Sequence, residues 1–148
     1  MNKFFVVTLL ISMSLSKWGI EEEEDVGVLT QSNFATFVEE NEYVFVKFYA
    51  PWCGHCKAMA PAYSSLAKRM KEEEGGIPIA KVDATVETEL AEKFGVKGFP
   101  TLKMFVNGEP IDYQGAREEE AIYNWIKKKL GPGSEAIETE EKLKEFET

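Results

Sequence analysis

Cysteine is nearly missing from this chain: its two copies, Cys53 and Cys56, stand in one four-residue motif. Small exported domains that rely on disulfide staples spread cysteines through the sequence, so this fold must rest on a hydrophobic core. Histidine occurs once, at His55 inside the same motif. Structural zinc almost always takes four ligands, and Cys53, His55 and Cys56 leave only dispersed carboxylates to complete a set. No metal is expected. A closed structural disulfide is a second alternative, but so short a loop contributes little chain entropy. No basic cluster is present to neutralise phosphates, so nucleic acid is not an expected partner. No Asn-x-Ser/Thr acceptor site occurs, and no long apolar run follows the first fifteen residues.

That first run reads as a leader. Lys3 precedes the apolar stretch Phe4–Leu15, and Ser14 and Ser16 supply small residues at cleavage positions. A bilayer span needs about 20 apolar residues, so residues 1–16 are expected to be a secretory signal and membrane insertion is not expected. The formal charge of −9 lies mostly in the flanks. Residues 28–131 carry 13 Lys and Arg against 15 Asp and Glu, whereas residues 17–27 hold Glu21 to Glu24 and Asp25 against one lysine. Such a run is ordinarily solvated, so residues 17–27 are expected to form an acidic N-terminal arm. Gly131-Pro132-Gly133 signals a linker, and residues 132–148 read as that linker with a tail or the start of a following domain.

The middle, residues 28–131, has the pattern of one domain. Val26–Thr30 reads as a short strand and Ser32–Asn41 as a helix with Phe34, Phe37 and Val38 on one face. Tyr43–Tyr49 is nearly continuously apolar, as in a strand covered on both sides, with Lys47 as its interruption. A long helix follows the cysteines to about Glu74, with Pro61 inside it, where a kink is expected. Ile77–Val82 is a strand. Val86, Leu90 and Phe94 predict a helix closed by Gly95. Thr101–Val106 and Pro110–Tyr113 flank Asn107-Gly108, a strong hairpin signal. The last helix is expected over about 118–130, with Ile122, Trp125, Ile126 and Leu130 as its apolar stripe. Strands alternating with helices, then a hairpin and a helix, predict a mixed α/β sheet covered by helices.

Chemistry concentrates at Cys53-Gly54-His55-Cys56. The thiolate is the nucleophile of disulfide exchange, and Cys53 falls where a helix begins, its free N–H groups favouring negative charge. His55 can add a partner to that sulfur. Cys56, one turn further in, can attack a mixed disulfide on Cys53. On this reading Cys53 attacks and Cys56 resolves, without any cofactor beyond the redox-active Cys53–Cys56 pair.

The stretch Phe48-Tyr49-Ala50-Pro51-Trp52-Cys53-Gly54-His55-Cys56-Lys57-Ala58-Met59-Ala60-Pro61 resembles the active site of the protein disulfide isomerase family. The resemblance continues through Lys81-Val82-Asp83-Ala84-Thr85, Gly95-Val96-Lys97-Gly98-Phe99-Pro100-Thr101 and Gly115-Ala116-Arg117-Glu118. It implies a thioredoxin-like fold with a mixed central sheet flanked by helices. It implies that Pro100 is a cis-proline facing the cysteines, with the Phe99 backbone and the Trp52 and Phe99 rings offered to a substrate peptide. Arg117 would correspond to a mobile arginine that approaches Cys56. The implied activity is formation, reduction or rearrangement of disulfides in unfolded or misbridged client polypeptides. The implied setting is the endoplasmic reticulum lumen, or export, with glutathione or an upstream oxidase as redox partner. An exported thioredoxin-type reductase and a redox-inert chaperone module are the alternatives. The Gly-His pair favours the thiolate, and a couple whose reduced form is stabilised is the better oxidant.

Lys47 departs from the family pattern. Many members carry a buried glutamate there, paired with a lysine at the position of Lys81 and used to move protons for the second cysteine. Two lysines cannot form that pair. Resolution by Cys56 is expected to be slower than in members with the glutamate, unless Lys47 merely packs its stem and carries its ammonium to solvent.

Overall fold

The computed structural model describes residues 17–131; the expected signal, 1–16, and the expected linker and tail, 132–148, lie outside the described residues. The chain divides into two compact units, Met1–Gln114 and Gly115–Thr148.

The first unit holds a six-stranded mixed sheet. Its strands are β1 (Glu22–Glu23), β2 (Val26–Val28), β3 (Tyr43–Tyr49), β4 (Ile79–Asp83), β5 (Thr101–Val106) and β6 (Glu109–Tyr113), in the order β1-β2-β4-β3-β5-β6. The β2–β4 and β4–β3 pairs are parallel, whereas β1–β2, β3–β5 and β5–β6 are antiparallel. Helices α1 (Phe34–Glu40), α2 (Gly54–Glu72) and α3 (Thr88–Lys93) complete this unit.

The long apolar run of β3 is explained by cover on both faces. Val44, Val46 and Phe48 join Leu29, Phe34, Phe37, Val38, Val82, Leu90 and Phe105 in one core, with α1 and α3 contributing. Phe34 and Phe94 each pack edge-on against Phe105, at 5.2 and 5.0 Å between centroids. On the other face Phe45 meets Tyr63 of α2 at 6.4 Å and Tyr113 of β6 at 6.0 Å. The Tyr63 hydroxyl lies 2.6 Å from the Ala80 carbonyl and 3.3 Å from that of Phe45, which pins α2 to β3 and β4 together. Helix α2 runs through Pro61 without interruption.

The hairpin β5–β6 turns at Asn107 and Gly108, with φ of 51° and 85°. Both values lie in the left-handed region that the two-residue type I′ turn needs, which is why Asn-Gly carries the signal. Val86 departs from expectation: it is exposed in the turn before α3. There the backbone bonds Val86 N–H and Glu87 N–H to the Asp83 carbonyl, and the helix proper starts at Thr88.

The segment 17–27 also departs from expectation, because it is folded into the sheet edge instead of being solvated. Ile20 is buried in the core that contains α1, and Trp18 packs against it. Glu22 and Glu23 pair with Gly27 and Val26. Gly27 leaves room for this close approach: a Cβ there would stand 2.5 Å from Ile20 Cδ1. Three of the acidic side chains answer lysines on α2 and β4. Glu22 and Asp25 both bond Lys71, the latter at 2.8 Å, and Glu23 bonds Lys81 at 2.7 Å. Clustered charge is therefore used here to fasten an edge strand.

The second unit contains α4 (Glu119–Leu130). Glu119 and Glu120 open it and Lys127, Lys128 and Lys129 close it, matching the helix dipole at both ends. Ile122 and Ile126 are its buried residues, while Trp125 and Leu130 are half-buried.

Candidate active site

Strand β3 ends at Tyr49, and Pro51 stops it by removing a backbone donor. The chain turns with Cys53 N–H bonded to the Ala50 carbonyl at 3.1 Å, and α2 begins. Cys53 is the N-cap, with extended φ and ψ of −79° and 124°, and its Sγ accepts the Cys56 N–H at 3.3 Å. That N–H is one of the donors a helix start leaves unsatisfied. An oxygen usually caps such a helix; here a sulfur takes the place, and a donor aimed at it favours the thiolate.

Both cysteines are free thiols, and both are buried. Cys53 Sγ also lies 3.6 Å from the Phe99 carbonyl oxygen, to which its thiol donates. The Phe99–Pro100 peptide bond is cis, in line with the expectation for Pro100. Phe99, Tyr49, Ala50 and the two cysteines form one apolar cluster. The Trp52 ring stands edge-on to Phe99, 5.8 Å between centroids, and is 69% exposed. A large aromatic so exposed is not core packing. Gly54 and His55 lie in the exposed first turn of α2.

Beneath the motif a recess of about 130 Å³ is lined by Lys47, Tyr49, Ala50, Cys56, Ala60 and Lys81, among others. Burial, with the adjacent Cys53 sulfur, pushes the Cys56 thiol up to about 11. A backbone bond at Ala50 and the Lys47 ammonium pull the other way. Lys47 is 5% exposed, its stem packed within β3 and its side chain lining the recess. Its Nζ lies 4.6 Å from the Tyr63 ring centroid and 5.5 Å from that of Tyr49, contacts that offset part of the desolvation. Burial, then repulsion from Lys81, lower Lys47 to about 8, with Cys56 opposing.

The structure thus gathers Lys47, Lys81, Trp52, Cys53, His55, Cys56, Phe99 and Pro100 around one motif. Arg117 is exposed in the second unit, beside Glu118, the N-cap of α4. Glu23, Tyr49 and Tyr63 were not singled out from the sequence. Tyr49 carried an available signal, since a residue two positions along a strand shares its face with Lys47; Tyr63 is brought there only by the packing of α2 on the sheet. Glu23 carried none, because nothing local distinguishes it from its acidic neighbours. Among the described residues there is no group of three or more His, Cys, Asp or Glu able to hold a metal.

The thioredoxin family model matches residues 25–128. The protein disulfide-isomerase of Drosophila melanogaster is 47% identical over 134 residues, covering 88% of this chain and 27% of its own length. Protein disulfide isomerase-like 1-4 of Arabidopsis thaliana is 52% identical over 112 residues, covering 76% of this chain and 18% of its own. The chain therefore spans about a quarter of such relatives. The solution structure of the first thioredoxin domain of mouse protein disulfide-isomerase A4 superposes with a TM-score of 0.71 at 41% identity. That match covers 78% of this chain and 83% of the mouse domain.

Proposed function

The chain belongs to the thioredoxin family, and from that premise we propose that it is a thiol–disulfide oxidoreductase of the protein disulfide isomerase kind. Its substrates are disulfides and thiols of client polypeptides. The observation that carries this reading is the Cys56 N–H aimed at Cys53 Sγ from the first turn of α2. In the reducing direction the Cys53 thiolate attacks a client disulfide, one client sulfur leaves as a thiol, and a mixed disulfide remains. Cys56 then attacks Cys53 Sγ, closing the Cys53–Cys56 bond and releasing the second client thiol. The reverse sequence oxidises a client dithiol. Trp52 and Phe99 offer the apolar surface and the Phe99–Pro100 backbone the polar edge on which a client lies. His55 in the first turn favours negative charge on Cys53, and the family resemblance assigns Arg117 a part in resolution. The leader pattern of residues 1–16 and the likeness to protein disulfide-isomerases support a lumenal setting in the secretory pathway. Reoxidation there is by glutathione disulfide or an upstream oxidase.

Replacing the resolving thiol tests the roles: Cys56→Ser should accumulate covalent client adducts through Cys53, visible as reducible high-mass species. Absence of adducts would overturn the assignment. Titration against glutathione tests the direction. A potential near about −180 mV is expected, whereas one at about −260 mV or below would make the chain a thioredoxin-type reductase instead.

A further inference from the structure

Lys47 and Lys81 face each other in register across β3 and β4, and both ammonium groups stand 5.5 Å from the centroid of the same ring, Tyr49. Like charges so placed repel. Among the described residues, the carboxylate that answers this pair is Glu23, whose Oε1 lies 2.7 Å from Lys81 Nζ. Glu23 belongs to β1, upstream of the family match at residues 25–128. The strand does not depend on the Glu23 side chain for its place. Backbone pairing to Val26 and Gly27, and the bonds from Glu22 and Asp25 to Lys71, hold it independently.

We propose that Glu23 is a positioning residue for the resolving step: through Lys81 it offsets the positive charge beside Cys56 and so lengthens the life of the mixed disulfide. The proposal rests on the reading of Cys56 as the resolving thiol. In that step Cys56 loses its proton to solvent and attacks Cys53 Sγ. The Cys53–Cys56 bond forms, the Cys53–client bond breaks, and the departing client thiolate takes up a proton. The chain dithiol is oxidised and the client sulfur reduced. A more positive recess raises the thiolate fraction of Cys56, and Glu23 restrains that rise. A longer-lived mixed disulfide gives the client time to exchange sulfurs within itself, the event that rearrangement requires.

The groups around Lys47 are Tyr49 on its own strand, Lys81 on β4, Cys56, Lys57 and Tyr63 on α2, and, through Lys81, Glu23 on β1, while Asp83 of β4 acts on Tyr49. Asp83 is engaged by Thr85, from its backbone N–H at 3.0 Å and its hydroxyl at 2.6 Å. Glu23 is thus the carboxylate bonded to the Lys81 member of this pair. It is two-thirds exposed, so solvent and salt screen it and its influence is modest.

The test is the rate at which Cys56 resolves a Cys53–glutathione mixed disulfide, followed by stopped flow in the purified chain from pH 6 to 9. Glu23→Gln should resolve about threefold faster at pH 7, its profile moved about half a unit towards acid. Glu23→Asp should stay close to the parent. Glu22→Gln loosens the same strand through Lys71 but should leave the rate unchanged. In a Lys81→Met background, Glu23→Gln should have no further effect. An unchanged or slower rate in Glu23→Gln overturns the proposal. So does equal acceleration by Glu22→Gln, or an effect that survives Lys81→Met. A parent that never resolves the adduct would instead remove the dithiol reading itself.

Discussion

Lys47 is the residue at which charge and burial conflict most openly. Its stem sits in the apolar centre of β3, while its ammonium is partly desolvated and stands on the strand position opposite Lys81. The folded chain holds the group at about 8, below its ordinary 10.5, so between these values the unfolded chain binds more protons. Stability contributed by this group therefore rises with pH across that window, and the penalty is fully present below it. Lys47→Met should raise unfolding free energy by about 2 kcal/mol at pH 7. The gain should shrink towards pH 10, as read from urea unfolding at both pH values. A gain independent of pH would assign the effect to packing instead of charge.

At the scale of elements, α2 carries both the reactive sulfur and the contact that sets its height over the sheet. Its N-cap is Cys53, and nearly three turns later Tyr63 reaches the carbonyls of Phe45 and Ala80. Burial pushes the Tyr63 hydroxyl well above its usual value, so it acts only as a donor at any ordinary pH. Tyr63→Phe leaves the ring and removes the donor. It should lower stability by about 1 kcal/mol in denaturant unfolding, while Cys53 still forms mixed disulfides. An unchanged midpoint would show that those carbonyls do not depend on the hydroxyl.

For the molecule as a whole, the folded unit begins well before the apolar strand pattern at Val26. Ile20 enters the core, β1 extends the sheet, and Glu22 and Asp25 hold Lys71. A chain starting at Val26 should lose about 2–3 kcal/mol, mostly from Ile20 burial with a smaller share from the partly buried ion pairs of Lys71. Urea unfolding of the two lengths decides this; equal midpoints would return residues 17–25 to the role of a solvated arm. The edge strand is not legible in residues 17–27 for a physical reason. Consecutive carboxylates look alike to any local pattern, and only the lysines of α2 and β4, brought alongside by folding, distinguish them.

What the amino-acid order determined by itself was local: the sulfur at a helix start, the apolar β3, the Asn107-Gly108 turn and the dipole-matched ends of α4. Each is written in residues a few positions apart, where backbone sterics and side-chain period act without help from distant segments. Tertiary structure alone decided which charges meet. The register of β3 on β4 set Lys47 against Lys81, and the pairing of β1 with β2 delivered Glu23 to them. Such meetings depend on how separate elements share one core, and no short-range pattern encodes that.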